Sequence, residues 1–208
     1  DAGHEIKTPL TIIDADAELI ALETGANDWV EDIRKQIQRL KELTEDLIFL
    51  SKMEERHGDA ECVEFPISEV ALETARSFQS LAMLQGKMFE SCVEPLVSYT
   101  GEMKNIQRLF SILLDNALKY SPEGGRISFR LERRGRNIYI NVSNTADFIS
   151  REHLAHLFDR FYRVDASRNS QTGGHGIGLS IAKAIVSAHK GRITAASPDG
   201  KSLTIQVI

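Results

Sequence analysis

The sequence predicts an α+β chain in two parts: a helical hairpin, then a sandwich of helices on an antiparallel or mixed sheet. Three observations carry this. Apolar residues recur at helical spacing as far as Leu50, a polar segment with glycine follows at Arg56-His57-Gly58-Asp59-Ala60, and beyond it helical and hairpin-strand patterns come in separate runs. That last order argues against a repeated βαβ unit and for helices layered on one sheet.

The hairpin comes first. Ile6, Leu10, Ile13, Ala17 and Ile20 follow one another at spacings of 4, 3, 4 and 3, one apolar seam on a helix. Thr24-Gly25-Ala26-Asn27-Asp28 interrupts it, with Gly25 as the stop and Asn27 or Asp28 as the cap of the next helix. Val30, Ile33, Ile37, Leu40, Leu43, Leu47 and Leu50 form a second seam. Two helices with such narrow stripes do not close a core, so a second hairpin, giving a dimeric four-helix bundle, is the expected completion. Past the linker the patterns predict a helix over 67–84, a strand-like stretch over 89–97 and a helix over 103–120. Strands over 126–131 and 137–142 read as a hairpin, and short and longer helices follow over 151–158 and 177–189. Strands over 192–196 and 203–208 meet across Ser197-Pro198-Asp199-Gly200-Lys201. The domains are therefore expected at 1–56 and 61–208.

Composition narrows the class. With 25 Lys+Arg against 30 Asp+Glu, the net charge of -5 lacks the electrostatic footprint of a nucleic-acid binder. No apolar run approaches the ~20 residues of a membrane span. Two cysteines, Cys62 and Cys92, make no disulfide framework and suggest a reducing compartment. The chain begins with Asp and carries no signal-peptide pattern, which suggests a soluble piece of something larger.

Four segments can carry chemistry, each with a plainer alternative. In His4-Glu5-Ile6-Lys7-Thr8-Pro9-Leu10, His4 falls beside the seam and a neutral imidazole is a nucleophile near pH 7; Glu5 and Thr8, three apart, share one helical face. The alternative is a solvated histidine near a helix-start proline. In Leu113-Leu114-Asp115-Asn116-Ala117-Leu118-Lys119-Tyr120 an apolar face carries Asn116, whose amide oxygen suits Mg²⁺, Lys119, which can meet a phosphate, and Tyr120, which can stack on a base. Amphipathic helices ending in Lys-Tyr are, however, common. Gly173-Gly174-His175-Gly176-Ile177-Gly178-Leu179 leads into a helix, where backbone N–H groups and the helix N-terminus favour phosphate. It matches neither a P-loop nor a dinucleotide fingerprint, and it also reads as a flexible loop. Phe158-Asp159-Arg160-Phe161-Tyr162-Arg163 offers anchoring aromatics and phosphate-reaching arginines, or simply surface arginines beside an apolar cluster.

Together, and in their order along the chain, the four resemble the boxes of a sensor histidine kinase of two-component signalling: the phosphoacceptor box, the N box, the F box and the second glycine box. The resemblance covers nearly the whole chain. It implies a dimeric bundle carrying the histidine and an ATP-binding domain of the Bergerat (GHKL) type. It also implies that His4 accepts the γ-phosphoryl group of ATP, that Glu5 acts as its general base, and that Thr8 with Glu5 positions water for dephosphorylating a partner response regulator. Asn116 would bind Mg²⁺, Lys119 a phosphate and Tyr120 the adenine, while Gly174, Gly176, Gly178 and Leu179 would shape the phosphate pocket, with Arg160 and Arg163 on the lid. The expected partners are a receiver domain and a second copy of the chain. The membrane enters only through upstream segments, the chain itself being a cytoplasmic piece of a bacterial membrane protein.

Two departures from the family pattern stand out. Where Asp-x-Gly-x-Gly is usual, this chain reads Asn144-Thr145-Ala146-Asp147-Phe148, and the polar residue expected four before Asn116 is Ile112. Asn144 would receive the adenine amino group on its amide oxygen, without the charge. Weaker or differently tuned ATP binding is expected. The first helix starts just before His4, so a less stable dimer and poor autophosphorylation are expected of this stretch. Two other readings stay open: a degenerate member acting as phosphatase or binding module, and a GHKL ATPase of the chaperone or gyrase type.

Overall fold

A computed structural model describes residues 2–25, 27–55, 62–146, 149–163 and 176–208. The expected linker at Arg56–Ala60, the pair Asp147 and Phe148, and Gly173, Gly174 and His175 lie outside the described residues. The chain divides into two compact units, Asp1–Glu55 and Arg56–Ile208.

The first unit is α1 (Ala2–Thr24) and α2 (Asp28–Glu55). Asn27 resolves the choice of cap: its Oδ1 accepts the N–H of Trp29 at 2.9 Å and its carbonyl accepts that of Glu31 at 3.1 Å. Gly25, at φ +80°, ends α1 in a conformation that favours glycine. Between the helices, Asp14 meets Lys41 at 2.6 Å and Arg34 at 3.9 Å. The Lys41 hydrogen bond holds the Asp14 carboxyl below its ordinary value. The apolar seams divide in two. Leu10, Ala17, Val30, Ile37 and Leu50 are buried between the helices, whereas Ile13, Ile20, Ile33, Leu40 and Leu47 stay 40% to 49% exposed.

The second unit is a two-layer sandwich. Its elements are β1 (Val63–Phe65), α3 (Ile67–Leu84), β2 (Met88–Val93), β3 (Tyr99–Gly101), α4 (Met103–Tyr120), β4 (Arg126–Arg134), β5 (Asn137–Thr145), α5 (Arg151–His156), α6 (Gly178–Ala188), β6 (Ile193–Ala196) and β7 (Ser202–Val207). Five strands form a sheet in the order β2-β4-β5-β7-β6, mixed because β2 runs parallel to β4 while the other pairs are antiparallel. β1 and β3 make a separate antiparallel ribbon that the sequence patterns did not suggest, since three residues are too few to display a period. The strand-like stretch over 89–97 shortens to β2; Glu94 N–H still donates to the Leu131 carbonyl at 2.9 Å before the chain turns at Pro95–Leu96.

Alternation along the strands sets the two faces. Ile127, Phe129 and Leu131 of β4, Ile140 and Val142 of β5, and Leu203, Ile205 and Val207 of β7 are buried against the helices. The opposite face is polar, tied by Ser143–Thr204 hydroxyls at 2.8 Å and by Gln206 donating to Asn141 at 2.9 Å. Onto the apolar face α4 lays Ile106, Leu109, Phe110, Leu113, Leu114 and Ala117, with Phe110 edge-on to Phe129 at 5.6 Å. α6 packs alongside with Ile181, Ala182 and Ile185.

One side chain pins the far ends of α4 and α6. His189 Nε2 accepts the N–H of Glu102, the residue before α4, at 3.2 Å, while its Nδ1–H donates to the Ile185 carbonyl at 2.8 Å. Gly101 allows this approach, because a Cβ there would stand 2.6 Å from the Tyr99 ring and 2.9 Å from the His189 ring. The helix pair depends most on the wholly buried Phe110. Phe110→Ala is expected to lower stability by about 3–5 kcal/mol, read as a fall in the urea midpoint with little change of slope.

Candidate functional site

The candidate site starts on α4, because the residues that helix leaves uncovered converge on its last two turns. Leu113, Leu114, Ala117 and Leu118 are buried, which turns Asp115, Asn116, Lys119 and Tyr120 away from the sheet. Asn116 is half-buried and Tyr120 is 43% exposed. Lys119 Nζ lies 2.7 Å from Asp115 Oδ2, a partly exposed pair worth little in stability but one that holds an ammonium beside Asn116.

The end of this helix is fixed by a residue that sequence reasoning missed. Lys87, just before β2, donates from Nζ to the Leu118 carbonyl at 2.5 Å. It thus satisfies one of the orphan carbonyls of the last turn and places a cation at the negative end of the helix. Partial burial pushes the Lys87 ammonium below its ordinary value. No local pattern marks Lys87, since the partner lies 31 residues away. Backbone bonds from Gly124 to Gly86 and from Met88 to Gly125 then tie the loop after α4 to the same corner.

The glycine run reaches α4 from the other side. Gly178 opens α6 with its ideal Cβ position 3.6 Å from Ile112 Cγ2, so the substituted residue one turn before Asn116 faces the start of the glycine helix. Ile177 and Leu179 are buried, Leu179 at 8% exposure, and they anchor the helix from behind. Gly176 holds φ +71° and is pressed against the F box: the Phe161 N–H donates to the Gly176 carbonyl at 2.9 Å. Arg160 is exposed and Arg163 half-buried on that segment. Gly174 lies outside the described residues.

Asn144 sits at the end of β5, against which α4 packs. It is 4% exposed, and its Nδ2 donates to the Thr145 carbonyl at 2.8 Å, which leaves Oδ1 as the accepting end. Beyond it Ala146 donates to Lys201 and Ile149 to Gly200 at 2.9 and 3.1 Å. Ala146 and Ile149 are therefore both bonded to the β6–β7 loop. That loop is itself fastened by Asp199, whose carboxyl is kept below its ordinary value by the Ser202 hydroxyl and the Lys201 N–H.

On the hairpin, His4, Glu5 and Thr8 fall in α1, which continues through Pro9. Thr8 is exposed. The side chains of His4 and Glu5 lie outside the described residues.

Two family models cover this arrangement. The His Kinase A (phospho-acceptor) domain matches residues 1–56, and the histidine kinase-, DNA gyrase B- and HSP90-like ATPase domain matches residues 101–208. The chain belongs to the sensor histidine kinases. Among relatives of this family, the sensor protein DltS of Streptococcus agalactiae is 33% identical over 94% of this chain and 49% of its own length. The signal transduction histidine-protein kinase BaeS of Escherichia coli is 32% identical over 100% of this chain and 45% of its own. The chain spans about half the length of the curated relatives it matches. Among solved structures, full-length ShkA in complex with AMPPNP superposes with a TM-score of 0.83 at 18% identity, covering 99% of this chain and 44% of that one. The Acinetobacter baumannii histidine kinase AdeS gives 0.71 at 22% identity, covering 98% and 95%. At those identities the likeness shows the shared fold. Among the described residues no helix is long and apolar enough to cross a membrane.

For this kinase-family domain, Lys87→Met is expected to cost about 1–2 kcal/mol and to loosen the Lys119–Tyr120 turn. Amide hydrogen exchange that accelerates at residues 117–121 while the β4–β5 hairpin stays protected would check it.

Proposed function

We propose that this chain is the kinase core of a sensor histidine kinase, which phosphorylates His4 from ATP and passes the phosphoryl group to an aspartate of a response regulator. The observation that carries the reading is the meeting of the Asn116–Lys119 end of α4 with the glycine start of α6 at Ile112–Gly178. It stands in one chain with a helix bearing His-Glu-x-x-Thr-Pro.

ATP lies with its phosphates between Lys119 and the N-terminus of α6, whose free N–H groups and helix dipole favour negative charge. Asn116 offers one hard oxygen, which fits Mg²⁺, an ion that keeps most of its waters and shares substrate phosphates. Held there, the metal supplies charge neutralisation on the phosphates. Asn144 Oδ1 receives the adenine amino group, and Tyr120 flanks the base. An imidazole nitrogen of His4 attacks the γ-phosphorus, the bond from phosphorus to the bridging oxygen breaks, and ADP leaves. Glu5 takes the proton released from the imidazole, a role worth about 10²–10⁴-fold. Thr8 orients water for the reverse task, hydrolysis of the phosphorylated regulator.

The second copy of the hairpin is argued from the open half of the seam. Ile13 and Ile20 on α1, and Ile33, Leu40 and Leu47 on α2, repeat every seven residues and remain exposed, an apolar face that a twin hairpin covers. Ile12 and Leu19, 56% and 58% exposed, lie seven apart on the other side of α1 and are the surface offered to the receiver domain.

Incubation with γ-labelled ATP and Mg²⁺ tests the chemistry. Wild type is expected to take up acid-labile label, and His4→Gln and Asn116→Ala to take up none. Hydrolysis of ATP that is unchanged in His4→Gln would instead indicate an ATPase, and absence of nucleotide binding would indicate a degenerate module, which the uncharged Asn144 and the Ala146 substitution favour. For assembly, Ile33→Asp combined with Leu40→Asp is expected to shift the sedimentation of a dimer to that of a monomer. A variant that still sediments as the dimer would remove that face from the interface.

A further inference from the structure

His153 and His156 of α5 both lie against Tyr162. Ser150 caps α5 by accepting the His153 N–H at 3.2 Å, and His153 Nδ1 shares a hydrogen bond of 2.6 Å with the Tyr162 hydroxyl. The His156 ring lies 5.4 Å from the Tyr162 ring, tilted by 38°, and its Nδ1 is 2.7 Å from Asp159 Oδ2. Tyr162 is therefore gripped at its hydroxyl and over its ring by residues of α5 and the turn after it.

The backbone beside Tyr162 is what Gly176 touches. A Cβ at Gly176 would stand 2.9 Å from both the Phe161 carbonyl carbon and the Tyr162 carbonyl oxygen. Phe161 holds φ +62°, a left-handed conformation that non-glycine residues avoid, and it does so with its N–H bound to the Gly176 carbonyl. From Gly176 the chain passes through buried Ile177, whose carbonyl accepts the Ile181 N–H at 3.0 Å and the Ser180 hydroxyl at 2.7 Å, directly into α6. A conformation this unfavourable persists only where its surroundings over-determine it. Here the surroundings are the His153–Tyr162 hydrogen bond on one side and the Gly176 carbonyl on the other.

We propose that His153 and Tyr162 form a positioning clasp that holds the Phe161–Tyr162 backbone against Gly176 and so sets the phosphate-facing start of α6. The clasp rests on the ATP reading above. It acts on the phosphate end of the site, since Asn144 stands on β5, apart from the clasp.

The test compares two probes on the 208-residue chain by titration with Mg²⁺ present: AMPPNP, which carries the phosphates, and adenosine, which does not. Tyr162→Phe and His153→Leu are each expected to weaken AMPPNP binding about five- to tenfold, the size of one hydrogen bond's net contribution, while adenosine binding changes less than twofold. The double variant is expected to be no weaker than the worse single one, as for two members of one bond. Gly176→Ala, which pushes the same backbone apart without touching either side chain, is expected to give the same split with a larger AMPPNP loss. Equal losses on both probes, additive losses in the double variant, or unchanged AMPPNP binding would overturn the clasp. A wild-type chain that binds neither probe would overturn the ATP reading itself and the clasp with it.

Discussion

The packing of α4 onto the sheet and alongside α6 is the constraint on which the candidate site depends. The Phe110–Phe129 contact and the buried leucines around it fix the rotation of α4 about its axis. Once that rotation is set, residues at helical offsets from the buried positions have no freedom in where they emerge: Asn116 and Lys119 follow from Leu113, Leu114 and Ala117. Two polar clamps then fix the position of the helix along its axis. His189 holds the Glu102 end and Lys87 the Leu118 end. Neither clamp is part of the candidate site, yet each helps set where its α4 groups lie along the helix axis.

The hairpin obeys a different economy. A core shared by two helices is too thin to bury two apolar positions per heptad, and the Leu10–Ala17–Val30–Ile37 layer uses the contact that one hairpin can make. The remaining layer, Ile13, Ile20, Ile33, Leu40 and Leu47, is apolar and exposed, the face on which the proposed pairing of two hairpins rests. Asp14 on α1 meets Lys41 and Arg34, two turns apart on α2, and so ties the two helices together from the polar side. Their stabilisation is present above the ordinary Asp range. It is lost as pH falls through the lowered value that the folded hairpin gives Asp14.

Much of this was legible in the sequence where a period could repeat several times. The spacing predicts α3 and α4 at their observed limits, and the alternation in β4 and β5 sets a buried face against a polar one, because in each case the same side chains that make the pattern make the core. The ribbon of β1 and β3 was illegible at three residues per strand. So were Lys87, His189, His153 and Tyr162 in their present roles, for a common reason: each bonds a group far along the chain or reached through a turn, and no spacing in sequence encodes a distance in space. Of the candidate site itself, Asn116, Lys119 and the glycine start of α6 were legible as motifs, while Lys87 and His189, which fix α4, were not.

The two family departures act on different ends of the site. Ile112 stands where the family pattern has a polar residue, and its methyl group faces Gly178 where α4 meets α6, so on the proposed reading the phosphate end has an apolar contact in place of a polar group. Asn144 keeps the acceptor but gives up the charge, and a hydrogen bond to a neutral acceptor is roughly half as strong as one to an ionised acceptor. Its own Nδ2 is already held by the Thr145 carbonyl, so the amide is oriented before any base arrives, and less entropy is lost on binding. On the proposed reading, nucleotide affinity in this chain is weighted toward the phosphate end, where the start of α6 supplies positive potential, and away from recognition of the base.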